Sequence, residues 1–497
     1  MPENSTENKR KVAVIGGGTG LTTAWGLDNQ DKFNVTLFES SDRLGGHIHS
    51  IKLNDVMVEG GAEFIGSPEV YTNVHILFKH LGIKLQEFQL NMDFNNLNTK
   101  DHTVLPPLYE TSSGKDSAWS ILKLCGLFGK KNAQDEMRLS WDTLLTELCT
   151  MINLNEAIKD AKKKLTSTDE MITLEQFVND FVAGGSPILN HRRTFADEFL
   201  YPLIAAGWGV SVDTIKTFGA HYAMQYLEAD LTWYDAPRGL SQYIRHMQRV
   251  CTNTSFQMNT SISKVIPVAV DGETKYQLQK EDGTFFHDEA GNVALYDDVV
   301  LSTSGEVTAN LISGINNQEL RELRDKLSRV TYYDTTVVFH QDPKYRSKNN
   351  TVVHSRFDGT QSANTMCKPW KYPEGTVPIM KTWILPGQPM PKNVLYEAHY
   401  RHPVMDRNYY EAQKALHEMQ GKTGIWYGGI IAGVNDSHES GVTVALEVAA
   451  RLNQQENTLE DNERLKLFPK VMAAVKSPVG HDRESSSTSS MSSSSSM

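Results

Sequence analysis

Lys11–Ser50 reads KVAVIGGGTGLTTAWGLDNQDKFNVTLFESSDRLGGHIHS, and the reading of this stretch decides the fold. Val12 to Ile15 is a short β-branched and apolar run that ends at glycines, the pattern of a strand buried on both faces of a parallel sheet. Gly16, Gly17, Gly18 and Gly20 follow at once. Glycine suits this turn because the chain must bend tightly and let a pyrophosphate approach free backbone N–H groups at the positive end of the next helix. A second strand, Asn34 to Phe38, ends in Glu39, close to the spacing of about 20 residues at which an acidic side chain accepts hydrogen bonds from an adenosine ribose. In G-x-G-x-x-G counted from Gly16 the third glycine should fall at Leu21, yet Gly20 comes one residue early. The turn or the first helical residues must therefore be packed differently. Strand, glycine turn, helix, strand and acid together predict a nucleotide-binding unit, whereas the turn alone would also fit a helix-capping loop.

Asp42-Arg43-Leu44-Gly45-Gly46-His47 comes straight after the ribose acid. It resembles the second cofactor segment of the flavin amine oxidase and phytoene desaturase superfamily, an acidic residue followed by R-x-G-G-R. The resemblance implies FAD, with Arg43 facing its pyrophosphate and Gly45 and Gly46 against the flavin side. His47 stands where the family usually has a second arginine. Val56–Gly66, VMVEGGAEFIG, is similar to the family's third cofactor segment; Glu59, Gly61, Ala62 and Ile65 match in type, so the backbone of Gly61, Ala62 and Glu63 would lie beside the isoalloxazine. Small residues let the backbone press against a flat ring, though a hairpin turn would use the same residues. Ile262-Ser263-Lys264-Val265 is similar to the segment that runs beside the adenine, with Val265 as the backbone contact. Trp233–Val250 resembles the return crossing to the cofactor domain, with one of its two usual glycines, Gly239. Tyr296–Ser302 resembles the strand written D-x-V-V-x-A.

Gly424–Gly429 is a strand with a glycine end, followed by Asn435–Gly441 and an apolar helix from Val442 to Leu452. It resembles the superfamily's closing segment, which places Glu439, Ser440, Gly441 and Val442 at a helix start that meets the flavin. N–H groups and dipole at a helix start stabilise the negative charge that a reduced flavin gathers. Together with Gly45-Gly46-His47-x-His49 and Arg401-His402-Pro403-Val404, His438-Glu439-x-Gly441 looks most like a bacterial branch of FAD(NAD)-binding oxidoreductases within the superfamily. The resemblance runs from Lys11 to Leu452 and is weakest from Asp93 to Glu170.

The chain has 497 residues, long enough for more than one core. A net charge of −11 leaves no basic excess to neutralise phosphates and argues against nucleic acid. Lys162-Lys163-Lys164 reads as a solvated helix face. Cys125, Cys149, Cys251 and Cys367 are far apart and form no C-x-x-C, so neither zinc nor a disulfide framework is indicated and a reducing compartment is the simpler expectation. His47 and His49 lack a third or fourth ligand at a zinc-like spacing and read as loop histidines, so no metal is expected. Met1–Arg10 is polar, which excludes an ordinary secretory signal, and no apolar run of about 18 residues offers a membrane span. The Ser-rich residues 475–497 are expected to be disordered, like residues 1–10. Cytoplasmic location is the expectation; a serine-rich end also resembles some export signals of bacterial effector proteins.

Val70 to Leu81 carries helical apolar spacing with Gly82 as its stop. From Ser117 to Leu227 the signal is helical almost throughout, with a capping box at Thr173-x-x-Gln176 and a kink or helix end expected at Tyr201-Pro202. Phe199, Tyr201, Trp208, Tyr222 and Tyr226 fit a helical core, or the wall of a substrate cavity. Strands are expected at Thr260–Pro267, Thr274–Gln279, Gly283–Phe286 and Asp298–Ser302, and again through Arg329–His340, Thr351–His354, Pro378–Leu385 and Asn393–Tyr400. The fold class expected is therefore α/β: a discontinuous, Rossmann-like FAD-binding domain (11–92, 235–315 and 401–460), glutathione-reductase-like, with an inserted α+β substrate domain (93–234 and 316–400).

The function implied is an FAD-dependent oxidoreductase that takes a hydride equivalent from a small organic substrate and passes electrons to oxygen or another acceptor. Polyamine and monoamine oxidases of the superfamily carry a lysine five residues before the phenylalanine of the first strand of the second sheet; here that position is Asp334. Gly433 lies near the place of a flavin-facing tyrosine in monoamine oxidases. Both departures favour a desaturase or dehydrogenase acting on a hydrophobic, lipid-like substrate over an amine oxidase releasing hydrogen peroxide, or a non-catalytic FAD-binding interaction protein. His438 and Glu439 are the candidate catalytic acid and base. No cysteine lies in the closing segment to bind a flavin covalently.

Overall fold

In the computed structural model the opening apolar run forms strand β1 (Arg10–Ile15), and the glycine turn delivers the chain into helix α1 (Gly20–Asp28). Strand β2 (Phe33–Phe38) returns parallel to β1, with Val12 opposite Val35 and Val14 opposite Leu37. Val12, Ala13 and Val14 lose all exposure, as a strand covered on both faces should. β3 (Thr254–Gln257) continues this sheet beyond β2, while β4 (Asp298–Leu301) and β5 (Ile425–Tyr427) continue it on the other side. The order β5-β4-β1-β2-β3 is parallel throughout. Its last three strands come from distant parts of the chain, so the Rossmann-like sheet is discontinuous in sequence.

The structure describes residues 9–28, 31–88, 92–96, 141–165, 171–185, 192–228, 233–346, 351–355 and 362–476. The serine-rich tail, Cys125 and most of the polar N-terminus lie outside them, as does the stretch from Ser117 to 140. The described chain forms two compact units. The first takes the residues up to Leu85, Ala236–Tyr332 and those from Arg407 on; the second takes Gln86–Asp235 and Tyr333–Asp406.

Further helices of the first unit include α2 (Thr72–His80), α3 (Ser241–Val250) and α4 (His438–Gln455). α1 and α4 pack closely, with Thr23 donating to the Ala445 carbonyl at 3.1 Å and Gly26 facing the Ala449 methyl. Gly82 follows α2 with φ +67°, which explains why glycine stops that helix. Ser50–Leu53 and Val56–Glu59 form an antiparallel hairpin through Asn54 and Asp55, both at positive φ. Ile262–Val270 and Glu273–Lys280 form another through Asp271-Gly272, the turn dipeptide its sequence signals. Gly283–Phe286, expected as a strand, makes only an isolated bridge between Phe285 and Gln279.

The unit boundaries shift from the sequence expectation by a few residues at 85/86 and 406/407, and by more at two other places. The helix Gln318–Ser328 belongs to the first unit, because its apolar stripe Leu320, Leu323 and Leu327 is buried among the helices of that unit. The ordered chain also continues past 460 to the helix Pro469–Lys476. Leu465 and Phe468 are wholly buried there, Phe468 lies edge-on to Trp25 with ring centroids 6.2 Å apart, and Asn462 donates to the Gly26 carbonyl at 2.8 Å. Residues 459–476 carry alternating short turns instead of a long periodic pattern, so their burial is set by contacts with α1 that a local reading does not contain.

The second unit combines helices with a six-stranded sheet. The helices are Trp141–Lys164, Leu174–Ala183, a run from Arg192 to Trp208, Val212–Thr217 and Ala220–Glu228. Thr173 and Gln176 form the full reciprocal capping box. At Tyr201-Pro202 the helix neither ends nor breaks. A π-helical turn, Ala196–Leu200, precedes it and lets the chain absorb the missing proline N–H while continuing to Trp208. Phe195, Phe199, Leu200, Tyr201, Phe218 and Tyr222 are buried, as core aromatics would be. The sheet runs Val394–Pro403, Tyr332–His340, Met380–Ile384, Ser362–Cys367, Thr351–Ser355, Met92–Asn96. Met92–Asn96 and Ser362–Cys367 lack strong alternation and were not expected as strands.

Candidate FAD site

Packing fixes two glycines of the turn and leaves a third open. Gly16 sits at φ +104°, and a Cβ there would run into the Ser302 carbonyl. Gly20 lies where a Cβ would come within 2.7 Å of Val14 and 3.1 Å of Ser302, so the early glycine performs the close helix–strand packing for which the third glycine of such turns is needed. Gly18 differs from both: the nearest atom to its built Cβ is the Gly46 Cα at 3.8 Å. Gly18 and Gly46 thus present a side-chain-free backbone face to one another, a cradle that a single methyl group would begin to fill.

Glu39 ends β2 beside this turn. Its carboxylate accepts the Gly17 N–H at 2.8 Å, the Ser41 N–H at 2.9 Å and the Ser41 hydroxyl at 2.8 Å. Arg43 donates to the Gly46 carbonyl at 2.9 Å, and Gly45 N–H donates to the Gly17 carbonyl at 2.9 Å. Arg43 therefore braces the R-x-G-G loop from within, and Gly45 ties that loop to the glycine turn. Gly45 and Gly46 both have positive φ, at +109° and +55°, the reason that loop needs two glycines. His47 contributes its backbone carbonyl, which accepts the Ala62 N–H at 2.9 Å, and a Cβ on Gly61 would strike that same carbonyl. The three segments Gly16–Gly20, Arg43–His47 and Gly61–Ala62 are thus joined by direct contacts. Glu63 follows them, half-buried in an irregular stretch. Val265 is fully buried, opposite Leu278 in its hairpin; the residues leading into that hairpin close on Glu39, Thr260 N–H donating to the Glu39 carbonyl at 2.9 Å.

Glu59, matched to the family from its position, has a different task. It is buried and accepts the Leu240 N–H and the Ser50 hydroxyl, each at 2.8 Å. Gly239 at φ +84° allows that approach, a Cβ there coming within 2.7 Å of Ser50. Glu59 therefore fixes the start of α3 to the hairpin.

The closing segment arrives at the same region through α4. Ser437 caps the helix by accepting the Ser440 N–H at 3.1 Å, and Asn435 N–H donates to the Ser440 hydroxyl at 3.1 Å. A Cβ on Gly441 would come within 2.9 Å of the Thr19 methyl, so the first turn of α4 meets the glycine turn at close range, with Val442 buried behind it. The two side chains named from the sequence as acid and base already have partners. Glu439 accepts the N–H groups of Asn73 and Val74, each at 2.8 Å, which makes it a cap for α2 contributed by a distant helix. Burial raises its carboxyl pKa, against the lowering effect of those N–H groups. His438 Nε2 bonds the Tyr243 hydroxyl at 2.8 Å, with Phe78 edge-on at 5.9 Å. Among the described residues its Nδ1 is buried without a hydrogen-bond partner, and burial lowers its pKa to about 4.

His221 and His340 are held down to about 4 by burial as well. Free histidine takes up a proton near the ordinary 6.5, whereas these three resist until about 4, so the unfolded chain binds more protons between those values. Their stabilising contribution is complete above pH 6.5 and is lost as pH falls towards 4. Urea midpoints are expected to drop by the equivalent of about 6 kcal/mol (on the order of 2 for each of the three histidines) between pH 7 and 4.5, and a flat profile would contradict this account.

A dinucleotide fits these residues: an open backbone cradle at Gly18 and Gly46, the acid Glu39 at the end of β2, the brace Arg43, and the start of a long helix beside the turn. Among the described residues no three His, Cys, Asp or Glu side chains come together as a metal ion would require. The fold and the cradle define an FAD-binding α/β protein. The family model described as flavin containing amine oxidoreductase matches residues 19–387, and the chain belongs to that family; it is an FAD-dependent oxidoreductase. Among curated proteins, the coproporphyrinogen III oxidase of Staphylococcus aureus (strain NCTC 8325 / PS 47) is 40% identical over 78 residues, 15% of this chain and only 16% of that enzyme. Cyclohexylamine oxidase from Brevibacterium oxydans IH-35A has a TM-score of 0.58 at 13% identity, covering 90% of this chain and 100% of that one. A CLA-producing fatty acid isomerase from P. acnes has a TM-score of 0.56 at 14% identity, over 90% of this chain and 98% of that one. At such identities these structures share the fold.

Proposed function

We infer that this oxidoreductase removes a hydride equivalent from a hydrophobic, lipid-like substrate, as a desaturase or dehydrogenase does, and hands electrons to oxygen or another acceptor. The observation that carries the reading is Gly433. A side chain there would collide with the Ser440 hydroxyl and come within 3.1 Å of the Ile430 carbonyl. No aromatic residue of the kind monoamine oxidases are expected to place there can be accommodated. Asp334 points the same way: at the position of the amine-oxidase lysine this chain has a carboxylate, its side chain 85% exposed and 3.8 Å from Arg401.

FAD when bound supplies the hydride acceptor. The chain's own residues bind and orient it. Gly18 and Gly46 admit its pyrophosphate to the backbone, Glu39 offers its carboxylate to the ribose, and Arg43 holds the loop rigid. The first turn of α4, from His438 to Gly441, sets N–H groups and a helix dipole towards the charge that builds during reduction. Glu439 and His438 act by holding that turn against α2 and α3, and neither is assigned the removal of a proton.

The test is anaerobic bleaching of the bound flavin by a substrate panel. Unsaturated fatty acids and isoprenoid hydrocarbons are expected to bleach it and polyamines and aromatic amines to leave it yellow. Turnover of amines alone, with hydrogen peroxide released, would replace this reading by an amine oxidase.

A further inference from the structure

The first unit carries a basic surface that FAD binding does not use. The stretches 70–86 and 236–270 contain no aspartate or glutamate, in a chain with 60 acidic against 49 basic residues. Tertiary structure brings these stretches together, since Phe78 of α2 and Tyr243 of α3 lie 4.9 Å apart between ring centroids. Their apolar side chains turn inward: Val74, Leu77 and Phe78 from α2, and Tyr243, Ile244 and Met247 from α3. Lys79, His80 and Lys84 from one stretch and Arg238, Arg245 and Arg249 from the other are exposed. Among the described residues none of the lysines and arginines in this set pairs with a carboxylate. His246 of α3 is near enough to act on His80 of α2: partial burial first, then the charges of Arg464 and His246, hold the His80 imidazole below its usual range.

We propose that this face, α3 with the C-terminal end of α2, docks the protein on an anionic phospholipid surface. Charge complementarity selects the occupant. Cations clustered without carboxylates attract anionic headgroups, and the attraction sums over residues within a Debye length of the membrane. The patch presents no exposed aromatic ring on which bases could stack, and the chain as a whole is acidic, so a nucleic acid is the poorer match. With the apolar side chains facing the core, the contact is one of surface charge and does not involve insertion. The choice of a membrane also rests on the lipid-like substrate proposed above, because a substrate dissolved in a bilayer is reached from its surface.

Co-sedimentation of the FAD-loaded protein with vesicles tests the surface without using turnover. Wild type is expected to pellet with phosphatidylcholine vesicles containing phosphatidylglycerol, to stay in solution with phosphatidylcholine alone, and to be released by salt. Lys79→Glu/Arg245→Glu/Arg249→Glu is expected to lower the partition coefficient at least about tenfold, with unchanged flavin content and melting temperature. Lys162→Glu/Lys163→Glu, cations of the second unit, should pellet like wild type. If the reversed variant loses flavin, the neutral Arg245→Gln/Arg249→Gln variant and the salt dependence of wild type decide in its place. No pelleting with anionic vesicles, equal pelleting without phosphatidylglycerol, an unaltered variant, or retention on a polyanionic nucleic acid without vesicle binding would each overturn the proposal. Turnover of a detergent-dispersed lipid is measured separately, so a failed substrate reading and a failed surface are distinguishable.

Discussion

Gly18→Ala is expected to yield a protein that folds with a near-normal melting temperature in the absence of cofactor and binds FAD at least about tenfold more weakly, a loss of ~1.4 kcal/mol or more. The added methyl meets nothing closer than the Gly46 Cα at 3.8 Å, so the fold has room for it. It stands, however, on the backbone face where a pyrophosphate must come close. Gly16→Ala two residues earlier should behave in the opposite manner. There the residue needs φ +104° and its Cβ collides with the Ser302 carbonyl, so β1 and β4 must be pushed apart, at a cost on the order of 3 kcal/mol. Flavin absorbance after purification and thermal melting of the apo-protein separate the cases. A Gly18→Ala protein that stays fully yellow, with an unchanged dissociation constant, would remove the glycine turn from the site.

Glu439→Ala is expected to destabilise the first unit by about 3 kcal/mol, because two backbone N–H groups at the start of α2 lose their acceptor and are left in a partly buried place. Glu439→Gln keeps one amide oxygen and turns an NH2 towards the same donors, so it should fall between wild type and alanine. Urea unfolding measures the loss. Residual turnover per bound flavin is the second readout, and it should be nearly unaltered in Glu439→Gln. A variant of normal stability with turnover reduced by orders of magnitude would return Glu439 to the role of proton acceptor.

These two experiments bear on a difference between what local sequence can and cannot convey. The local backbone shape at Gly16 and Gly45-Gly46, and the place of Glu39 at a strand end, were legible because each depends on geometry within a few residues: a strand end, a positive φ. The departure at Gly20 was legible as a departure, but its meaning was not. The Val14 and Ser302 atoms that make glycine necessary there lie on β1 and just past the end of β4. The same holds for Glu59 and Glu439. Both match a family pattern by position, and both turn out to be acceptors for the N-termini of helices far away in the chain, Leu240 in one case and Asn73 and Val74 in the other.

By itself the sequence determined the nucleotide-binding class and the α/β architecture, since apolar period, glycine position and a ribose acid are properties of short segments read in order; FAD followed from the resemblance of the Arg43-x-Gly45-Gly46 and closing segments to a flavin family. Only the tertiary structure decided that the early glycine seats α1 on its sheet, that His438 and Glu439 pack against Tyr243 and α2, and that residues after 460 complete the core around Trp25. It also brought two acid-free stretches into one basic face. Each of these depends on atoms far apart in the chain meeting at a few ångströms, where close packing and hydrogen-bond acceptance, with no counterpart in local pattern, fix which side chains are left to act.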